Sequence, residues 1–268
     1  MIKPNTLEMV QQSCLMDDIF MSECLRQNEC VELVLSIILE RDIKVENVQT
    51  QEFMRSWGRS VKLDIAAFEN ANASANKRQT RYNIEVQRKN EGSDIRRARY
   101  HTSIMDTYNL LAGQDFKALG DNCVIFITER DVFNRGRPRY TIERRFKETN
   151  EPAEDGTQII YVNGSIRDVN TPLGKLTHDF FCINPDEFCY PILADRVRYF
   201  KESKIGSERM EGIYERFFSK YRDEILEIGE ARGIKKGREE ERQSLLQELL
   251  EQGMITLEAA KSMGLAGA

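Results

Sequence analysis

The sequence predicts an α/β protein with a helical tail, and three features carry that prediction. Residues 60–68 (SVKLDIAAF) and 81–89 (RYNIEVQRK) alternate apolar and polar residues on either side of the polar connection ENANASANKRQT. Such alternation marks paired strands with one face toward a core. Residues 122–128 (NCVIFIT) form an unbroken apolar run bounded by turn residues, as expected of a strand covered on both faces. From about Ser207 onward the chain is almost wholly helix-forming.

The elements follow in order. Residues 1–16 read as a lead-in without definite structure. From Asp17, apolar residues Ile19, Phe20, Cys24, Val31, Val34, Leu35, Ile38 and Leu39 recur at helical steps, with Asn28 as cap of a second piece ending near Glu40. Residues 44–53 (KVENVQTQEF) read as a first strand, and the two alternating strands follow. Asp94 opens a helix predicted to run through Leu111, with Gly113 as its stop. The order is therefore helix, three strands, helix, strand. Residues 137–146 and 158–163 alternate well enough for two further strands, joined by NEPAEDG. Pro172, Pro185 and many aromatics make 170–189 a region of turns and short helices.

In the tail, Ile213, Phe217, Phe218, Tyr221, Ile225 and Ile228 form a helical stripe. Gly229, Gly233 and Gly237 then recur on one helix face, although each glycine costs a helix about 1 kcal/mol relative to alanine. Two readings of that repeat stand side by side: a seam for a second helix from another copy of the chain, or a solvated helix of marginal stability. The end reads as a helix, a glycine stop and a second helix capped by Thr256.

With 268 residues and 40% hydrophobic content the chain can bury a substantial core. It shows no apolar run near 18 residues and no charged-then-apolar leader, so a cytoplasmic protein without membrane contact is expected. Cys14, Cys24, Cys30, Cys123, Cys182 and Cys189 contain no CxxC pair. They sit mostly among apolar residues, so reduced thiols are expected and a zinc site is not. The net charge of −5 hides basic stretches. Between Asn76 and Met105 the cations Lys77, Arg78, Arg81, Arg88, Lys89, Arg96, Arg97 and Arg99 outnumber Glu85, Glu91 and Asp94, a local excess suited to an anionic partner.

The chemistry concentrates in the paired strands. Glu85 and Gln87 share a strand face, and a neighbouring strand can bring Asp64 to the same point. Acids on otherwise apolar strands are costly unless a positive charge offsets them, and a divalent metal is the natural candidate. For Asp64 the plainer alternative is a turn or surface acid, and for Glu85 a solvent-facing strand residue. No GxSxG turn supports a serine nucleophile and no GxxxxGK[ST] loop supports ATP use.

An ordered series of blocks goes further: VKLDI (61–65), IEVQ (84–87), RRARYH (96–101), FKAL (116–119), VIFI (124–127) and DVF (131–133), then GEARG (229–233) and LLEQGMITLEAAKSMGL (249–265). Over roughly residues 17–264 this series resembles the PD-(D/E)XK nuclease family transposases, or recombination-promoting nucleases. The resemblance implies a restriction-endonuclease-like core, an αβββαβ mixed sheet flanked by helices, over 17–200, with extra strands. It places a helical tail with a Gly-x3-Gly repeat and a short helix-turn-helix-like end over 207–268. It also implies Mg²⁺-dependent (or Mn²⁺-dependent) DNA endonuclease activity linked to recombination or mobile elements, with a catalytically silent DNA-binding or protein-interaction relative as the alternative.

By the same likeness Asp64 and Glu85 match the metal-binding acids, and Gln87 stands where the wider superfamily often has lysine. The Val86 carbonyl is a candidate third ligand, and the Gln87 amide can hold the attacking water. Arg88, Lys89, Arg97 and Arg99 are candidate phosphate contacts. Asp17, Asp18, Glu29 and Glu32 are equal candidates for a further acid from the first helices. His101 stands where the family often has a second tyrosine, and the plain reading of it is a surface or packing residue. Tyr100 and Tyr108 read as packing residues, His178 carries no assigned role, and the tail helix is a candidate for homodimer contact.

Overall fold

The computed structural model describes residues 6–56, 58–69, 79–88, 93–110, 112–219, 243, 244 and 246–248. The chain divides into two compact units, Met1–Glu211 and Gly212–Ala268. The first is α/β, with a six-stranded mixed sheet flanked by helices.

Its order opens with α1 (Thr6–Gln12), α2 (Asp18–Cys24) and α3 (Asn28–Leu39), then β1 (Val45–Met54), β2 (Val61–Glu69) and β3 (Thr80–Gln87). Next come α4 (Ile95–Asn109), β4 (Asp121–Thr128), β5 (Arg139–Ile142), β6 (Thr157–Asn163), α5 (Pro172–Phe181) and α6 (Pro191–Glu202). The sheet order is β1-β2-β3-β4-β6-β5. β1, β2 and β3 pair antiparallel, β3–β4 and β4–β6 pair parallel, and β5 returns antiparallel on the edge. β4 thus lies between two parallel neighbours, and from Asn122 to Thr128 every residue is buried. That is the environment its unbroken apolar run predicts.

Strand alternation sets the two faces. Phe126 stacks on Tyr161 at 5.4 Å, and with Leu63, Ala66 and Val124 they build the core under Ala98, Ile104 and Met105 of α4. On the other face Ile65, Ile84, Ile125 and Ile160 are buried. There Arg41, just past α3, bonds the Tyr82 hydroxyl at 2.6 Å and both Glu69 oxygens at 2.8 Å.

Several boundaries differ from expectation for identifiable reasons. From Thr6 onward the lead-in is structured: α1 buries Val10, and Leu15 and Met16 lie in the core. Gln27, not Asn28, occupies the N-cap of α3, because the Asn28 amide reaches the Val45 and Glu46 carbonyls at 3.2 and 3.3 Å. Asp94 does cap α4, accepting the Arg96 N–H at 2.6 Å. That helix ends at Asn109, with Gly113 at φ 87 in the turn beyond. The strand expected over 137–146 contracts to Arg139–Ile142, followed by an isolated Arg145–Pro152 bridge. α5 falls within the turns and short helices expected over 170–189, whereas α6 stands where nothing definite was expected. Each carries proline in its first turn, where the missing N–H costs nothing. A further helix covers 204–219. The glycine repeat and the end of the tail lie outside the described residues. No described helix is long and apolar enough to cross a membrane.

Candidate functional site

β2 and β3 stay in register up to Ile65↔Ile84. Asp64 and Glu85 are the next position along each strand, on the face that α4 covers. There side chains replace the backbone ladder: the Val86 N–H donates to the Asp64 carboxylate, and the Asp64 N–H approaches Glu85 Oε1 at 3.4 Å. The Gln87 carbonyl accepts the Glu129 N–H at 3.0 Å and so faces β4. Peptide groups of successive strand residues face opposite edges. The Val86 carbonyl therefore turns toward β2, the side that carries Asp64.

Both acids are buried, Asp64 at 8% exposure and Glu85 at 0%. Burial and the neighbouring Glu85 charge push the Asp64 carboxyl up to about 9, with Asp18 adding to the repulsion. Burial raises Glu85 as well, against the pull of Asn83, Arg97 and the Asp64 N–H. A proton or a cation is thus favoured between them. The donors available, two carboxylates and a carbonyl, are all hard oxygens of the kind Mg²⁺ and Mn²⁺ take. The residues fit such an ion.

Around Glu85 a polar shell has assembled. The Asn83 amide donates to Glu85 Oε1 at 3.0 Å and lies 3.3 Å from His101 Nδ1. Arg97 donates to Glu85 Oε2 at 3.0 Å and approaches His101 Nε2 at 3.4 Å, its guanidinium 5.7 Å above the Phe126 ring. Burial, with the charges of Arg97 and Arg59, holds His101 down to about 4. A neutral imidazole has one acceptor nitrogen, so only one of its two contacts is a hydrogen bond. Asn83 Oδ1 is buried and has no hydrogen-bond partner among the described residues.

The predicted residues divide clearly. Asp64, Glu85 and Val86 converge. Gln87 is half-buried on the Glu85 face of β3, and its amide makes no hydrogen bond to another described residue. Arg97 contacts Glu85 directly. Arg99, exposed on α4, pairs with no acid among the described residues. Arg88 belongs elsewhere: just past the end of β3, it pairs with Asp17 at 3.0 Å and bonds the Met16 carbonyl at 3.3 Å. Lys89 lies outside the described residues. Of the N-terminal acids, Asp18 is the one whose charge raises both site carboxylates. Asp17 holds Arg88, and Glu32 holds Lys44 and the Val45 N–H. Tyr100 and Tyr108 tie α4 to the β1–β2 turn through the Arg59 and Arg55 carbonyls.

Sequence reasoning missed three participants. Asn83 carries the period-two signal, two residues before Glu85. His101 carries the helical one, four residues after Arg97. The third is a separate cluster. Among the described residues one trio of His, Cys, Asp or Glu has its ligand atoms all within 4.8 Å of one another, and it is His178, Asp179 and Cys189. Asp18 therefore feels the Asp64–Glu85 pair without closing on it as a third ligand. Compared with protein-family models, with curated proteins and with solved structures, the chain finds no match.

Proposed function

We propose that the protein is a metal-dependent phosphodiesterase in which Asp64 and Glu85 hold the ion. More particularly, it is a DNA endonuclease with a restriction-endonuclease-like core, of the PD-(D/E)XK transposase or recombination-promoting type that its sequence blocks resemble. One observation supports this above the rest: two acids from adjacent strands meet, buried, where their ladder ends, and both are raised.

A bound Mg²⁺ or Mn²⁺ supplies charge to offset the phosphodiester and lowers the pKa of a coordinated water. The chain's own part is positional. Asp64, Glu85 and the Val86 carbonyl fix the ion's place. The Gln87 amide, with one donor and one acceptor end, orients a water without serving as a base. Arg97, partly open to solvent, and exposed Arg99 supply charged donors to phosphate oxygens, contacts that carry no sequence information.

A second reading has its own observation. Glu85 has no exposed side-chain surface and is paired with Arg97 at 3.0 Å, so the guanidinium already offsets one acid. That favours a relative that binds DNA without cutting it.

Nicking of supercoiled plasmid with Mg²⁺ or Mn²⁺ separates the two. Under the nuclease reading Asp64→Ala and Glu85→Ala each lower the rate at least about a thousandfold, since several kcal/mol of charge stabilisation is removed. Undiminished cleavage in both variants excludes this site. Salt-sensitive binding by the unaltered chain with no cleavage under either ion establishes the silent reading.

A further inference from the structure

α5 ends with His178 and Asp179 in its last turn, and Cys189 precedes the first residue of α6 by two positions. Asp179, fully buried, folds the connection back on itself: Oδ1 accepts the Cys189 N–H at 2.7 Å and Oδ2 the Tyr190 N–H at 2.9 Å. This brings Cys189 Sγ to 3.8 Å from His178 Nδ1, while Asp179 Oδ1 lies 3.1 Å from the same nitrogen. One ring nitrogen thus faces an oxygen and a sulfur together, and a single proton on it can serve only one of them.

We propose that His178 Nδ1, Asp179 Oδ1 and Cys189 Sγ form a binding site for a borderline divalent cation, Zn²⁺ by preference, that clasps the end of α5 to the start of α6. The spacing suits the ion. Tetrahedral zinc with Zn–N near 2.0–2.1 Å, Zn–O near 2.0–2.2 Å and Zn–S near 2.3 Å places N and O about 3.3 Å apart and N and S about 3.6 Å apart. The observed separations, 3.1 and 3.8 Å, lie close to both. Asp179 Oδ2 stays on the Tyr190 amide, so the ligand's orientation is already held from outside the site. His178 is about one-third exposed, which gives the ion a way in and leaves the fourth position to water. Thiolate and imidazole favour Zn²⁺ over Mg²⁺, so this site and the all-oxygen pair at Asp64 and Glu85 take different ions. The cysteine binds as thiolate, and its proton leaves to solvent.

Cobalt titration of the metal-stripped full chain tests the site, because cobalt reports a thiolate ligand by its charge-transfer absorption. About one equivalent of Co²⁺ gives that band in the unaltered chain, Zn²⁺ abolishes it and excess Mg²⁺ does not. Cys189→Ser removes the band, and His178→Ala weakens Co²⁺ binding at least about tenfold. Glu85→Ala leaves the band in place, which separates this site from the proposed nuclease centre. Absence of the band in the unaltered chain, or its persistence in Cys189→Ser, overturns the proposal. Should Cys189→Ser fail to fold, undiminished Co²⁺ affinity in His178→Ala overturns it equally.

Discussion

Glu85 and Asp179 are both carboxylates with no exposed side-chain surface, yet their neighbours differ in kind. Asp179 is met by donors: two consecutive backbone N–H groups ten and eleven residues along the chain, and an imidazole nitrogen beside it. Glu85 is met by donors and by another acid. Asn83 and Arg97 reach its oxygens, but Asp64 shares the end of the ladder and Asp18 adds charge from α2. Burial alone therefore does not mark a reactive carboxylate. A buried acid surrounded by donors is held in place by them, whatever else its free lone pairs take on, whereas one set against a second acid needs a proton or a cation to relieve the repulsion.

The largest stability effect separates the two. Asp179→Ala leaves the Cys189 and Tyr190 amides without their acceptor, at about 1–3 kcal/mol for each group kept from water. Urea unfolding should show a loss of about 2–6 kcal/mol. Glu85→Gln keeps an acceptor for Asn83 and Arg97 and removes the repulsion toward Asp64, and the Arg97 charge stays partly open to solvent. The same measurement should therefore move by no more than about 1 kcal/mol. Equal losses in the two variants would erase the distinction.

A smaller effect concerns pH. A carboxyl whose folded pKa is raised keeps its proton in the native state while the unfolded chain loses it. Its contribution is present below the ordinary carboxylate range and is lost as pH rises through the folded value. For Asp64 that value is about 9. His101, held down to about 4, acts on the acid side and is silent above neutrality. In chelator, unfolding free energy should therefore fall by on the order of 1–3 kcal/mol between about pH 7 and 9. Asp64→Asn should flatten the fall, and Mg²⁺ should oppose it in the unaltered chain. An Asp64→Asn profile that tracks the unaltered one would show that the pair does not hold the proton.

How much of this was legible depends on the range of the interaction. Strand alternation and a polar connection placed Asp64 and Glu85 on neighbouring strands, because register and a period of two are local properties. Asn83 and His101 carried the same local signals. Other features carried none. That the charge of Asp18 rather than Asp17 reaches the pair depends on how α2 docks, and Asp17 is occupied by Arg88, just past β3. The prolines at 172 and 191 were ambiguous, since a proline that breaks a helix also starts one. His178 and Cys189 lie eleven residues apart and meet only because Asp179 reverses the chain between them.

The smallest effect tests the phosphate face, where sequence alone ranked two arginines as equals. Arg88, just past β3, is committed to Asp17 and to the Met16 carbonyl. Arg99 is exposed and pairs with no acid among the described residues. Neutralising one phosphate fewer reduces the slope of log affinity against log salt by about 0.9 for duplex DNA. Arg99→Ala should lower that slope by about this amount and weaken binding evenly across sequences, because a side chain on a phosphate reads no bases. Arg88→Ala should leave the slope unchanged and cost stability instead, through the Asp17 partner it abandons. A slope change confined to Arg88→Ala would place the DNA beside Asp17 rather than along α4 and separate binding from the carboxylate pair.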